Sequence, residues 1–132
     1  MADDVRKPIH FIASSLKDLR AVPTDVKGAF GRQLLDAQHG DMPGAAKPLK
    51  GFGDASVVEL VEDEGSSTYR AVYTVRFAEA VYVLHVFQKK STKGIATPKP
   101  DMDLVKRRLK TAEDHYKQHY RRIGNMKEHG HA

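Results

Sequence analysis

The chain has 132 residues, of which 40% are hydrophobic and 30% are charged, and it contains no cysteine. This length predicts one domain with a single modest core, and the composition excludes a disulfide framework and a cysteine-rich zinc site. The formal net charge is +5, and 12 Lys/Arg against 4 Asp/Glu fall between residues 85 and 127. This excess favours a polyanionic partner (RNA, DNA or an acidic protein), or else a well-solvated surface.

The N-terminus is not expected to be a signal peptide. The N-terminus, MADDVRKPIH, begins with acids and has no apolar run after them, unlike a signal peptide. The longest apolar runs are far too short to span a bilayer, so we expect no membrane partner and a cytoplasmic protein. We expect one domain over residues 1–123 and a disordered tail at 124–132, because GNMKEHGHA has no apolar pattern.

The first third of the chain predicts a short strand followed by two helices. Residues 8–12 (PIHFI) are apolar, and a serine pair then precedes a short helix that begins near Leu16. Apolar residues recur at helical spacing over 26–37 and predict a second helix. The Gly/Pro-rich residues 39–54 predict a loop.

Strand periodicity appears in the middle of the chain. Residues 56–62, 69–77 and 81–89 predict an antiparallel meander with a hairpin turn at 63–67. In the second strand the aromatic side is the expected core face, and the side with Arg70 is the less apolar, open face. The third strand is apolar on both faces, which predicts a place in the middle of the sheet or under cover.

A last helix follows, with Asp101 as a possible cap and its buried side marked by Met102 through Tyr116. Its other side carries a run of basic residues: Lys106, Arg107, Arg108, Lys110 and Lys117. The predicted fold class is α+β. It has a small antiparallel sheet, made of the meander plus the N-terminal strand, with two N-terminal helices on one face and a C-terminal helix.

Charged residues on the predicted sheet are candidates for a functional site. Arg70 and Arg76 share one face, where a guanidinium is either solvated or well suited to hold a phosphate. On the first meander strand, Glu59 lies between Val57 and Val61 in the set of residues that face the same side. It is either a general base beside the cations or a salt-bridge partner of Arg70. We favour the salt bridge.

The third strand ends in two lysines. Successive strand residues point to opposite faces, so one of Lys89 and Lys90 shares a face with Arg70, and the sequence does not tell which. Lys50 precedes the sheet and can reach over its edge. His85 lies within the apolar run VYVLHVF, which favours a core histidine bonded to the backbone over a proton-transfer residue.

Metal and cofactor motifs are weak in this sequence. His115 and His119 have the i, i+4 spacing that can grip a metal, but no acid is placed as in H-E-x-x-H. The chain has no Walker loop, no G-x-G-x-x-G after a strand and no G-x-S-x-G elbow. We expect neither a metal nor a cofactor.

Five segments follow one another in an order typical of a known family: KPIHFIASSLKDLRAVP, KPLKGFG, VVEL, YRAVYTVRF and VYVLHVFQKKSTKGIATPKPDMDLVKRRL. Together they cover about residues 7–110. On these segments the sequence resembles the phage-derived HigB-like branch of the RelE/ParE superfamily, the toxins of type II toxin–antitoxin pairs.

The resemblance implies a small antiparallel sheet with two N-terminal helices, and an endoribonuclease that cuts mRNA on the ribosome without a metal. The ribose 2′-OH would attack the adjacent phosphate and leave a 2′,3′-cyclic phosphate and a 5′-OH. The implied partners are a helix-turn-helix antitoxin (HigA-like), the ribosome and mRNA. The alternatives are a ParE-like or phage accessory protein that inhibits gyrase or another protein target, and an inert nucleic-acid-binding module.

Carried over by position, the resemblance assigns catalytic roles to three residues. Arg70 would hold the phosphate, Lys90 would clamp the transition state or act as acid, and Glu59 is the candidate base. The other cations predicted to contact RNA or phosphate are Lys50, Arg76, Lys89 and Lys93.

Overall fold

The computed structural model describes residues 5–90 and 96–121, so the predicted tail at 124–132 lies outside the described residues. Its helices and strands follow the predicted α+β order, with one short strand added. In chain order they are β1 (Ile9–Phe11), α1 (Ser15–Ala21), α2 (Thr24–Gln38), β2 (Lys47–Pro48), β3 (Val57–Glu64), β4 (Ser67–Thr74), β5 (Val81–Lys90) and α3 (Lys99–Tyr116), which continues as a π-helix over Lys117–Arg121.

The strands form one five-stranded sheet in the order β1-β5-β4-β3-β2. β5 lies between β1 and β4, which confirms the prediction that the third meander strand has a place in the middle of the sheet. The sheet is mixed rather than purely antiparallel, because β1 pairs with β5 in parallel. The added strand β2 lies in the predicted loop and contains a proline, a residue that sheets accept at an edge.

The β3–β4 hairpin is tighter than predicted. Asp63 and Glu64 continue the ladder, with Glu64 opposite Ser67, so the turn consists of Gly65 and Ser66 alone. Gly65 has a φ of 62°, a left-handed conformation that glycine adopts without a steric penalty. At its other end β4 stops at Thr74, earlier than the sequence predicts.

Two hydrophobic clusters cover the two faces of the sheet. The first lies under α1 and α2 and includes Leu19, Val26, Phe30, Leu34, Val58, Leu60, Ala71, Tyr73, Val81 and Val83. The second lies under α3 and includes Leu49, Val57, Val72, Phe77, Tyr82, Leu84, Val105, Ala112 and Tyr116. The expectation of a single core and of an open face around Arg70 is therefore wrong, because α3 covers that face.

α3 begins two residues before its predicted cap, at Lys99 and directly after Pro98. Its predicted buried side packs in the second cluster. Arg108, predicted on the solvated side, instead donates from Nη1 to the carbonyl of Leu84 at 3.0 Å, and burial lowers the pKa of its guanidinium. Within the described residues, no helix is both long and apolar enough to cross a membrane.

A bulge in β5 decides which residues reach the face under α3. Val72 pairs with His85, whereas the next residue of β4, Tyr73, pairs with Val83, so Leu84 is an extra residue in β5. An extra residue shifts the alternation of a strand. His85 thereby comes to lie on the same face as Val72 and Arg70.

Candidate functional site

A buried ion pair joins the adjacent strands β3 and β4 on the face under α3. Arg70 on β4 donates from Nη1 to Oε1 of Glu59 on β3 at 3.1 Å, and the two side chains are 9% and 8% exposed. Two charges removed from water in this way need each other, because either one left alone is strongly destabilising. The salt bridge favoured from the sequence is therefore present.

The second oxygen of the same carboxylate is held from the opposite direction. Thr97, in the segment before α3, donates from Oγ1 to Oε2 of Glu59 at 2.8 Å. Thr97 precedes Pro98, and a residue before proline is restricted to extended backbone. The orientation of the Glu59 carboxylate is thus fixed by the sheet on one side and by the start of α3 on the other.

Glu59 borders a cleft of about 580 Å3 between strand β2 and the start of α3. Lys47 lies directly opposite Glu59 in the β2–β3 ladder, an arrangement that favours opposite charges. The predicted cation Lys50 also borders the cleft. The full lining is Lys47, Pro48, Leu49, Lys50, Glu59, Ala96, Thr97 and Met102.

Arg70 does not line this cleft and reaches it only through Glu59. Within the described part of the chain, its Nε is buried and has no hydrogen-bond partner. Its remaining described contact is the carboxylate, so the arrangement suits orientation of Glu59 better than direct contact with a phosphate.

The register of β5 decides which of the two strand-end lysines is on the Arg70 face. Lys89 pairs with Thr68, which alternates with Arg70 on that face, whereas Lys90 pairs with Ser67 of the other set. Lys89 donates from Nζ to the carbonyl of Ala96 at 2.6 Å. The side chain of Lys90 and the whole of the predicted RNA contact Lys93 lie outside the described residues.

His85 is buried, but it is bonded to a carboxylate rather than to the backbone. Its Nε2 lies 2.7 Å from Oδ1 of Asp101 in the first turn of α3, and its ring stacks on Phe87 at a centroid distance of 4.5 Å. Asp101, predicted as the helix cap, therefore ties α3 to the sheet. His85 does not border the cleft.

Arg76 is not brought together with the other predicted site residues. Its guanidinium donates to Oγ of Ser56 at 3.0 Å and to the carbonyl of Phe52 at 3.1 Å. It also approaches Asp54 at 3.4 Å. Hydrogen bonds from Ser56, and then the charge of Arg76, hold the pKa of Asp54 below its ordinary value. Through these contacts Arg76 connects the segment after β4 to the loop before β3.

A second polar cluster joins β1 and β5 to the end of α3. Nε2 of His10 and the Tyr120 hydroxyl form a hydrogen bond of 2.7 Å, and Nδ1 of His115 and the Tyr82 hydroxyl form one of 2.6 Å. Burial, and then the neighbouring histidines, lower the pKa of His10 and of His115. We call these residues, with His119, the histidine cluster.

The histidine cluster has the wrong geometry for the metal site considered from the sequence. The rings of His115 and His119 stack at 3.9 Å with an angle of 14° between their planes. Imidazole ligands bind through in-plane lone pairs, and near-parallel planes do not direct these to one point. Over residues 5–90 and 96–121, no group of three or more His, Cys, Asp or Glu side chains can hold a metal ion.

The sequence analysis missed two residues of the cleft, Lys47 and Thr97. Lys47 was visible as the first lysine of KPLK, but the strand β2 that sets it opposite Glu59 is only two residues long. Thr97 is 38 positions from Glu59 in the chain. No periodic pattern links residues so far apart, so no local signal predicts their contact.

Comparison with known proteins supports the family predicted from the sequence. The model of the family described as "Phage derived protein Gp49-like" matches residues 17–110, and no curated protein matches the chain. Among solved structures, the chain is similar to the RelBE2 toxin–antitoxin complex from Mycobacterium tuberculosis at 18% identity and a TM-score of 0.44, over 69% of this chain and 100% of that one.

Two further similar structures are of the E. coli toxin RelE. A mutant of that toxin in the free state is 20% identical, with a TM-score of 0.49, over 80% of this chain and 97% of that one. The isolated toxin is 24% identical, with a TM-score of 0.47, over 76% of this chain and 97% of that one.

Proposed function

The chain belongs to the phage-derived Gp49-like family, and from this premise we propose that it is the toxin of a type II toxin–antitoxin pair that cleaves mRNA on the ribosome. The observation that carries the proposal is the setting of Glu59. Its carboxylate is held by two hydrogen bonds at the border of a cleft that also contains two lysines. A fixed base beside cations is what cleavage by the ribose 2′-OH requires.

In the proposed reaction, Glu59 takes the proton of the ribose 2′-OH. The 2′ oxygen attacks the adjacent phosphorus, the bond from phosphorus to the 5′ oxygen breaks, and a 2′,3′-cyclic phosphate forms. Lys47 and Lys50 oppose the negative charge that develops on the phosphate. The 5′ oxygen leaves with a proton from an ammonium group, for which Lys89 is the candidate, because it lies on the Glu59 face of the sheet and contacts Ala96 at the cleft, whereas Lys90 belongs to the opposite face.

Arg70 and Thr97 act through Glu59 in this proposal. They hold its two carboxylate oxygens at 3.1 and 2.8 Å, which sets the direction in which the base accepts a proton. Arg70 is therefore a positioning residue rather than the phosphate holder that the resemblance implies. His85, bonded to Asp101, fixes the start of α3 and takes no part in proton transfer.

The proposal includes the ribosome because a small cleft contacts too little of an RNA to orient it for in-line attack. Naked RNA should be cut slowly, since the ribosome then no longer positions the substrate. The neutralising partner is a helix-turn-helix antitoxin of the HigA-like kind. Its acidic segments would lie against the basic residues of α3 and reduce access to the cleft.

Mapping transcript ends after induction in a bacterial host tests this proposal. We expect cuts within translated codons that carry a 5′-OH end, and about a 100-fold loss of cutting in Lys50→Ala. Lys106→Ala is the matched control, because it removes the same charge from an exposed position on α3 that does not border the cleft. Growth arrest with intact mRNA and broken DNA would instead indicate gyrase inhibition, and absence of arrest would indicate an inert module.

A further inference from the structure

The cleft beside Glu59 has two chemically different parts. Lys47, Lys50, Glu59 and Thr97 supply charged and polar groups, while Pro48, Leu49, Ala96 and Met102 supply an apolar surface. Its volume of about 580 Å3 falls within the range of sites that enclose a small organic ligand, which is about 300–1,000 Å3. An ion such as phosphate alone would leave the apolar part unused.

The apolar part is held in place by neighbouring backbone. The amide of Met102 bonds to the carbonyl of Pro98 at 3.0 Å, and the adjacent Asp101 is tied to His85. On the other side, Gly51 has a φ of 101°, and a Cβ added there would lie 3.4 Å from Cε of Met102. The side chain of Met102, in the first turn of α3, therefore extends toward the loop after β2 and brings its methyl group close to Gly51.

We propose that this cleft binds one nucleotide unit of single-stranded RNA, with the base against Met102 and Leu49 and a phosphate between Lys47 and Lys50. A base has a flat apolar face, and a polarisable thioether packs well against aromatic rings. Lysine ammonium groups bind phosphate as point charges and do not read sequence. The choice of RNA rests on the proposed function, which this inference deepens.

The arrangement predicts recognition that tolerates different bases. The apolar contact requires only a π face, which every base has. Thr97 and Glu59 also border the cleft and are hydrogen-bonded to each other, and in the proposed complex the ribose lies against them. This places a ribose hydroxyl next to the group that we propose as the base.

Calorimetric titration of the full-length protein with the four nucleoside 3′-monophosphates and with inorganic phosphate tests the inference. We expect each nucleotide to bind at least about tenfold more tightly than phosphate, a difference of about 1.4 kcal/mol. Met102→Ala should reduce nucleotide affinity to about that of phosphate and leave phosphate binding unchanged. Lys50→Ala should weaken both ligands.

Leu104→Ala is the control for loss of apolar volume from α3, because Leu104 is half-buried on the same helix and does not border the cleft. It should bind every ligand as the wild type does. Equal affinities for phosphate and nucleotides, or unchanged nucleotide binding in Met102→Ala, would overturn the inference. Tight nucleotide binding without transcript cuts would support the nucleotide site and refute the proposed cleavage. Transcript cuts without nucleotide binding would support the proposed cleavage and refute the nucleotide site.

Discussion

The two faces of the sheet are made from alternate residues of the same strands, yet they bury different chemistry. Under α1 and α2 the cluster is apolar, with residues such as Phe30 and Leu60 fully buried. Under α3 the buried set also contains Glu59, Arg70 and His85, each at 6–8% exposure. Buried charges rarely improve stability over apolar side chains of the same size, so the polar face points to a role beyond folding.

The difference also concerns how each cover is attached. The helices α1 and α2 pack mainly by apolar contact, and their polar contacts with the sheet come from the uncharged donors Ser15 and Gln33. Ionisable side chains tie α3 to the sheet at His85–Asp101, at Arg108–Leu84 and in the histidine cluster. Polar ties depend on charge state and geometry more strongly than apolar packing does. The predictions below test each face separately.

The largest effect is expected when the ion pair under α3 loses one partner. Arg70→Leu leaves the Glu59 carboxylate buried without its cation, which should cost about 3–5 kcal/mol of unfolding free energy. The double variant with Glu59→Leu removes both charges and should recover most of that loss. Urea unfolding of the three proteins measures this, and a double variant as unstable as the single one would contradict the reasoning.

A similar loss of stability without a functional defect is expected on the apolar face. Leu34→Ala in α2 removes a side chain that is 3% exposed, and the resulting cavity should cost about 2–5 kcal/mol. Cutting per folded molecule should stay at the wild-type level, because α2 does not border the cleft. A specific loss of cutting in a folded Leu34→Ala protein would show that the two faces are not separate.

A smaller effect is expected from the hydroxyl that holds Glu59. Thr97→Val keeps the shape of the side chain but removes the donor to Oε2, and it should slow the cleavage step about tenfold with little change in RNA binding. Thr97→Ser keeps a hydroxyl and should cut nearly as fast as the wild type. Single-turnover cleavage on programmed ribosomes separates rate from binding, and equal rates for Val and Ser would exclude the positioning role.

The smallest effect is a dependence of stability on pH that comes from the histidine cluster. The folded-state pKa values of His10 and His115 lie below the ordinary 6.5, so the unfolded chain takes up protons first as the pH falls. Their contribution is fully present above 6.5 and is lost below it, as the pH falls toward the lowered values. Both rings keep contact with water, so we expect less than about 1 kcal/mol for each.

Urea unfolding across this pH range measures the contribution of the cluster. His10→Gln keeps a polar group next to the Tyr120 hydroxyl but does not titrate, so the slope of stability against pH should be shallower than in the wild type. An unchanged slope would assign the pH dependence to other groups.

The sequence predicted the order of the main elements and the alternation that puts Val72 on the face of Arg70, because both follow from local periodicity, but it wrongly extended that face to Arg76, which lies beyond the end of β4. It did not predict that α3 covers that face, since an apolar stripe on a helix does not specify the surface on which it packs. Alternation also could not tell whether Lys89 or Lys90 shares a face with Arg70, because the register of β5 depends on a one-residue bulge at Leu84. Local pattern therefore identified Glu59 and Arg70, but not the cleft that Lys47 and Thr97 complete.

The central claim is that the carboxylate of Glu59 is the base in RNA cleavage. The most direct test compares wild type with Glu59→Gln in single-turnover cutting of one defined mRNA on purified ribosomes. This change keeps the shape of the side chain, removes its charge and replaces one of its two acceptor oxygens with an amide donor. With circular dichroism showing both proteins folded, we predict a loss of about 100- to 10,000-fold in the variant. Cutting by Glu59→Gln at the wild-type rate would contradict the claim.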